Sequence, residues 1–203
     1  MSNTSSGAAA QADRFALTGE NRAKADKIIA KYPPGRQASA VIPLLHLAQA
    51  QNGGWLDRAA MDHVSEILDM APIRVYEVAS FYTMFNLQPV GKHLLEICTT
   101  TPCWLRGSDA IVKACEQRLG IDLGETTKDG AFTLREVECL GACVNAPMMQ
   151  IGDEYFEDLD PESTVKLIDA LARGDKPKPG PQSSRHTSEP IGGLTTLTSV
   201  KSS

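Results

Sequence analysis

Four of the five cysteines in this 203-residue chain form two pairs, Cys98-Thr-Thr-Thr-Pro-Cys103 and Cys139-Leu-Gly-Ala-Cys143. Two thiolates on each of two separated loops suit a [2Fe–2S] group. Such a group needs four sulfur ligands and backbone N–H donors that soften the charge on sulfur. Gly141 lets the backbone of the second loop come close to an inorganic sulfide. A chain holding this group would be a one-electron carrier.

Other chemistries compete for the same thiols. Structural zinc commonly uses the tighter Cys-x₂-Cys hook, although two to four intervening residues occur. A thioredoxin-type dithiol needs Cys-x-x-Cys, the spacing of neither pair. A Rieske centre needs two histidines. His93 lies five residues before Cys98, on the opposite face of a strand, and no histidine accompanies the second pair. Disulfides suit an exported chain, and Met1 to Asp13 has neither a basic residue nor an apolar core of the kind a secretory signal carries. The fifth thiol, Cys115, shares a helical stripe with Ile111 and Leu119 and reads as a small buried hydrophobe.

The elements that must position these cysteines fall into two groups. Residues 1–18 are small and polar and predict disorder. A helical bundle lobe follows over 19–88. Its helices run from Glu20 to Tyr32, from about residue 40 with Ser39 as cap, from the cap Asp57, and from Pro72. Over 89–173 the pattern changes to a strand ending at Cys98, a helix from Gly107 to Leu119 that Cys103 precedes, and a strand from Phe132 to Glu138. A hairpin turning at Gly152-Asp153 and a helix from Pro161 to Ala172 complete it. Strand–helix–strand–strand–helix predicts an α/β domain of thioredoxin-like type, preceded by a small all-helical lobe. Residues 174–203 are rich in Pro, Gly, Ser and Thr, too poor in large apolar side chains to fold alone, and read as an extended tail that is either a free disordered end or orders along a partner.

Charge narrows the functions further. A net charge of −5 does not suit a nucleic-acid binder, and Asp57 to Ser80 carries five acids against two arginines. No run of eighteen apolar residues exists, so no membrane insertion is expected. No Gly-x-Gly-x-x-Gly or Walker loop points to a nucleotide site. From Glu136 to Asp160 there are seven acids and no basic residue. Carboxylates close to a dianionic cluster oppose a further electron, which predicts a low reduction potential, less any screening beyond about 8–10 Å. Trp104, directly after Cys103, either covers the site or meets a partner, or else is a helix-edge core residue. Phe81, Tyr82 and Phe85 read as core packing, with a bridge between lobes as the alternative.

Glu138-Cys139-Leu140-Gly141-Ala142-Cys143-Val144-Asn145-Ala146-Pro147 closely resembles the small [2Fe–2S] subunit of proton-translocating NADH:quinone oxidoreductase, respiratory complex I. So do Cys98 to Cys103, Phe81-Tyr-Thr-Met-Phe85 and Gly124-Glu-Thr-Thr127. The tail segments Lys178-Pro-Gly-Pro181 and Ser188-Glu-Pro-Ile-Gly-Gly-Leu194 are similar to the mitochondrial and closely related bacterial branch. The resemblance implies an electron-transfer subunit with a thioredoxin-like ferredoxin fold, one [2Fe–2S] cluster and Cys98, Cys103, Cys139 and Cys143 as ligands. It implies a partner that binds FMN and NADH, and other peripheral-arm subunits, on the cytoplasmic side of a bacterial inner membrane or the matrix side of an organelle. The cluster in that family exchanges electrons with the flavin. Related subunits of soluble NAD-linked hydrogenases and formate dehydrogenases, and a structural zinc module, are the alternatives.

Overall fold

The computed structural model describes residues 14–193 and 195–196, and the chain divides after Val90 into two compact units. The first unit is helical: α1 (Gly19–Ile29), α2 (Val41–Gln51), α3 (Arg58–Leu68) and α4 (Pro72–Phe81). Asp57 caps α3, its carboxylate accepting from the Ala60 N–H at 2.7 Å, and Pro72 occupies the first turn of α4, where no N–H partner is lost. Leu44, Leu45, Leu56, Val64, Leu68 and Val75 fill the core between them.

Three expectations change here. Ser39 does not cap α2; it lies within a 3₁₀ turn, Gln37–Ala40, that runs directly into the helix. Residues 14–18 are not disordered, because Phe15 packs on the helical core and the buried Leu17 donates its N–H to His63 Nε2 at 3.2 Å. Residues 1–13 lie outside the described residues. Phe85 is buried, but Phe81 is 77% exposed and stacks edge-on against Tyr82 rather than entering the core.

The second unit is built on a five-stranded sheet ordered β2-β1-β3-β4-β5. Its strands are β1 (His93–Cys98), β2 (Phe132–Val137), β3 (Met149–Ile151), β4 (Glu154–Glu157) and β5 (Gly180–Pro181); its helices are α5 (Thr101–Leu105), α6 (Ser108–Leu119) and α7 (Pro161–Ala172). β1 and β2 are parallel with Cys98 opposite Val137, whereas β1–β3 and β3–β4 are antiparallel. A parallel pair needs a crossover, and α5 and α6 supply it. α6 packs on β1, β2 and α7, burying Leu95, Ile97, Ile111, Leu134 and Ile168. Gly91 enters β1 so close to β2 that a Cβ would stand 2.7 Å from the Phe132 carbonyl carbon, so no larger residue fits there. Asp160 caps α7 through a reciprocal box with Ser163.

The tail also departs from expectation. Gly180–Pro181 adds β5 parallel to β4, and the Gln182 N–H donates to the Glu157 carbonyl at 2.8 Å. Strand addition uses main-chain groups, so the lack of apolar side chains did not forecast it.

Candidate metal centre

Parallel pairing explains why the two cysteine loops meet. β1 ends at Cys98 and β2 ends at Val137, two residues before Cys139, so both loops leave the same edge of the sheet. Cys98 and Cys103 are buried with Ala146 and Met148, and Leu140, Ala142 and Tyr155 pack against that cluster. Cys139 and Cys143 are exposed, their sulfurs 3.5 Å apart. The four predicted residues lie near one another, close enough that Cys143 feels the charges of Cys139 and Cys98, and Cys103 those of Cys98 and Cys143.

Each loop has its own local cause. Cys103 precedes α6, as its spacing predicts, and itself lies inside the additional one-turn α5, with Pro102 in its first turn. The second loop turns at Gly141, whose φ of +85° is left-handed, then passes through a 3₁₀ turn, Cys143–Asn145. No protein atom lies within 4 Å of where a Gly141 side chain would start, so conformation rather than crowding within the chain requires glycine. The Tyr155 hydroxyl donates to the Leu140 carbonyl at 2.9 Å and ties this loop to β4.

The thiols disturb one another. Burial pushes Cys98 up, but hydrogen bonding with the Thr100 hydroxyl, the backbone of Leu140 and Cys103 outweighs it and leaves the thiol below its ordinary value. Cys103 is pushed up to about 12, first by burial and then by Cys98. Cys143 is raised by its hydrogen bond with Cys139, then by burial and by the charges of Cys139 and Cys98. Four thiolates this close repel unless a cation compensates them, the condition a bound metal group meets. Two sulfurs on one tetrahedral metal, each at about 2.3 Å, stand about 3.8 Å apart, close to the Cys139–Cys143 separation. Among the described residues, no three His, Cys, Asp or Glu side chains gather around a single ion position. Cys139 pairs with Cys143 and Cys98 with Cys103, and two such pairs of sulfur donors would suit a two-metal group.

A match to the thioredoxin-like [2Fe-2S] ferredoxin family covers residues 25–172. The chain belongs to that family. Among its relatives, an NADH-quinone oxidoreductase subunit from Rickettsia bellii is 57% identical over 157 residues, covering 77% of this chain and 94% of that protein. The protein named NADH dehydrogenase [ubiquinone] flavoprotein 2, mitochondrial, of Dictyostelium discoideum is 55% identical over 183 residues, 90% of this chain and 74% of its own. Among solved structures, an NAD+-reducing [NiFe]-hydrogenase in the air-oxidized state superposes with a TM-score of 0.59 at 21% identity. That match covers 66% of this chain but only 23% of the hydrogenase chain, and it bears on fold alone.

Two readings near the ferredoxin site are now decided. Trp104 is 56% exposed, so it is not a core residue, and Leu105 and Val144 beside the paired cysteines are exposed as well. Cys115 is fully buried and pushed up to about 12 by desolvation, then by Glu116, as an inert core thiol should be. His93 stacks on Phe132 at 5.3 Å, within the strand pair rather than at the cysteines. The acidic run is partly tied down: Glu136 accepts from the Thr99 hydroxyl and Asp158 faces Arg185. Residue order did not mark Thr100, Tyr155 or Asn145 for the parts they play here.

Proposed function

We infer that this chain is the electron-transfer subunit of an NADH:quinone oxidoreductase, with Cys98, Cys103, Cys139 and Cys143 as ligands of one [2Fe–2S] group. The observation that carries the reading is the meeting of both cysteine pairs at one sheet edge, in a chain 57% identical to an NADH-quinone oxidoreductase subunit across 94% of that protein's length. When bound, the group supplies a site that takes and returns one electron. The protein's own residues do the rest. Cys98 and Cys103 hold the inner side away from water, at 2% and 1% exposure. Cys139 and Cys143 leave the outer side open to a partner.

That partner is a subunit binding FMN and NADH, and it docks over the outer pair, where Trp104, Leu105 and Val144 offer apolar area beside the thiols. The helical unit serves as an interaction lobe, and the assembly lies on the peripheral arm at the cytoplasmic or matrix face. Among the described residues no helix is long and apolar enough to cross a membrane.

Serine exchanges test the ligand set in the anaerobically purified full chain. Cys139→Ser is expected to abolish or severely alter the EPR signal of the reduced protein, while Cys115→Ser leaves it unchanged. An unaltered signal in Cys139→Ser would overturn the assignment. Copurification with a flavin-binding quinone-reductase subunit tests the assembly; copurification with hydrogenase or formate dehydrogenase subunits instead would refute it.

A further inference from the structure

The loop that carries Cys139 and Cys143 lies between β2 and β3 and has no regular element of its own beyond one 3₁₀ turn. Residues 183–187 of the tail contact it. The Arg185 Nη1 donates to the Val144 carbonyl at 3.0 Å, one residue after Cys143. The buried Asn145 donates its amide to the Thr187 carbonyl at 2.9 Å. Asn145 is also held from below, its carbonyl accepting from the Asp158 N–H at 2.7 Å. Asp158 in turn accepts from Ser183 Oγ at 2.9 Å and faces Arg185 Nε at 3.2 Å. That last approach is not aligned as a hydrogen bond, leaving Nε without one, so the contact is Coulombic.

Arg185 and Asp158 are 6% and 8% exposed in their side chains, far more buried than an ordinary surface pair. Asp158 and Thr187 both adopt φ of +50°, a conformation costly for Asp and more so for a β-branched residue. Such residues persist where their surroundings over-determine them. Both sit at contacts between the tail and the cysteine loop.

We propose that tail residues 183–187 are a strap fixing the second cysteine loop, with Arg185 as its positioning residue and Asn145 and Asp158 as anchors. The guanidinium reaches two directions at once, to the loop carbonyl and to the Asp158 carboxylate, a geometry its planar fork permits. The strap's effect on iron retention rests on the ligand assignment above; its effect on the loop does not.

Hydrogen exchange and iron release to a chelator, in the full chain, separate the two. In Arg185→Gln the amides of residues 142–146 should exchange at least about tenfold faster, and the chelator should remove iron at least about tenfold faster. The thiolate-to-iron circular dichroism bands should change shape, while exchange in β1 and α7 stays at the wild-type rate. The double variant Arg185→Gln/Asp158→Asn leaves no unpaired buried charge, so it folds, and should free the loop to the same extent. Wild-type exchange at residues 142–146 in either variant, or an increase spread evenly through β1 and α7, would overturn the strap. A chain that holds no iron at all would defeat the ligand assignment, and the exchange measurement would still decide the strap.

Discussion

The two halves of the cysteine cluster are built by different physics. Cys98 ends a central strand and Cys103 sits in a helix turn, so the inner pair inherits its position from the hydrophobic core. Cys139 and Cys143 lie on an irregular loop pinned by polar contacts from Tyr155, Asn145 and the tail. The inner pair should therefore fail only when the whole unit fails. The outer pair should loosen alone. A redox site that must meet a partner gains from this division, because one side stays dry and rigid while the other remains open.

Breaking the core should break both halves. Ile97 is fully buried in β1 beside Cys98, so Ile97→Ala should cost about 2–5 kcal/mol of unfolding free energy from lost transfer and cavity formation. Urea unfolding of the full chain measures this, and exchange should rise in β1 and in both cysteine loops together. A loss confined to the second loop would contradict the comparison.

Tyr155→Phe sharpens it from the other side. Removing the hydroxyl leaves the ring packed but deprives the Leu140 carbonyl of its donor. The expected cost is about 1 kcal/mol, seen as faster exchange at residues 139–143 with β1 unaffected. Equal loosening of β1 would mean that this loop and the core are one cooperative piece.

The smallest effect lies at the far end of β1. His93 is held below its ordinary value by burial first and by Lys92 second. The native state then binds fewer protons than the unfolded chain as pH falls below the ordinary value of 6.5. Its contribution is fully present above that pH and is lost as pH falls through the window between 6.5 and the lowered native value. Urea midpoints measured from about pH 8 down to about pH 5 should decline more steeply in the wild type than in His93→Gln. An identical pH slope in the variant would remove His93 as the cause.

The same division governs what could be read from residue order alone. Asp57, Pro72 and Pro161 mark helix starts through local chemistry, and the hairpin at Gly152-Asp153 follows from turn residues between apolar runs. The inner pair was legible because an apolar strand leads straight into it. α5 was not: five residues are too few for a 3.6-residue pattern, and Pro102 reads equally as a loop residue. β5 and the Arg185–Asp158 pair were also hidden, since main-chain pairing and a contact across 27 positions leave no periodic signature. Phe15 and Leu17 were misjudged because a few apolar residues after a polar stretch carry little local signal, yet dock on a core made elsewhere.

Iron, zinc and acid-labile sulfide determined together on the anaerobically purified full chain test the central claim most directly. Two irons and two sulfides per chain, with an EPR signal appearing on reduction, are the outcome expected of a [2Fe–2S] group held by both pairs. Stoichiometric zinc, or protein without sulfide, would contradict it.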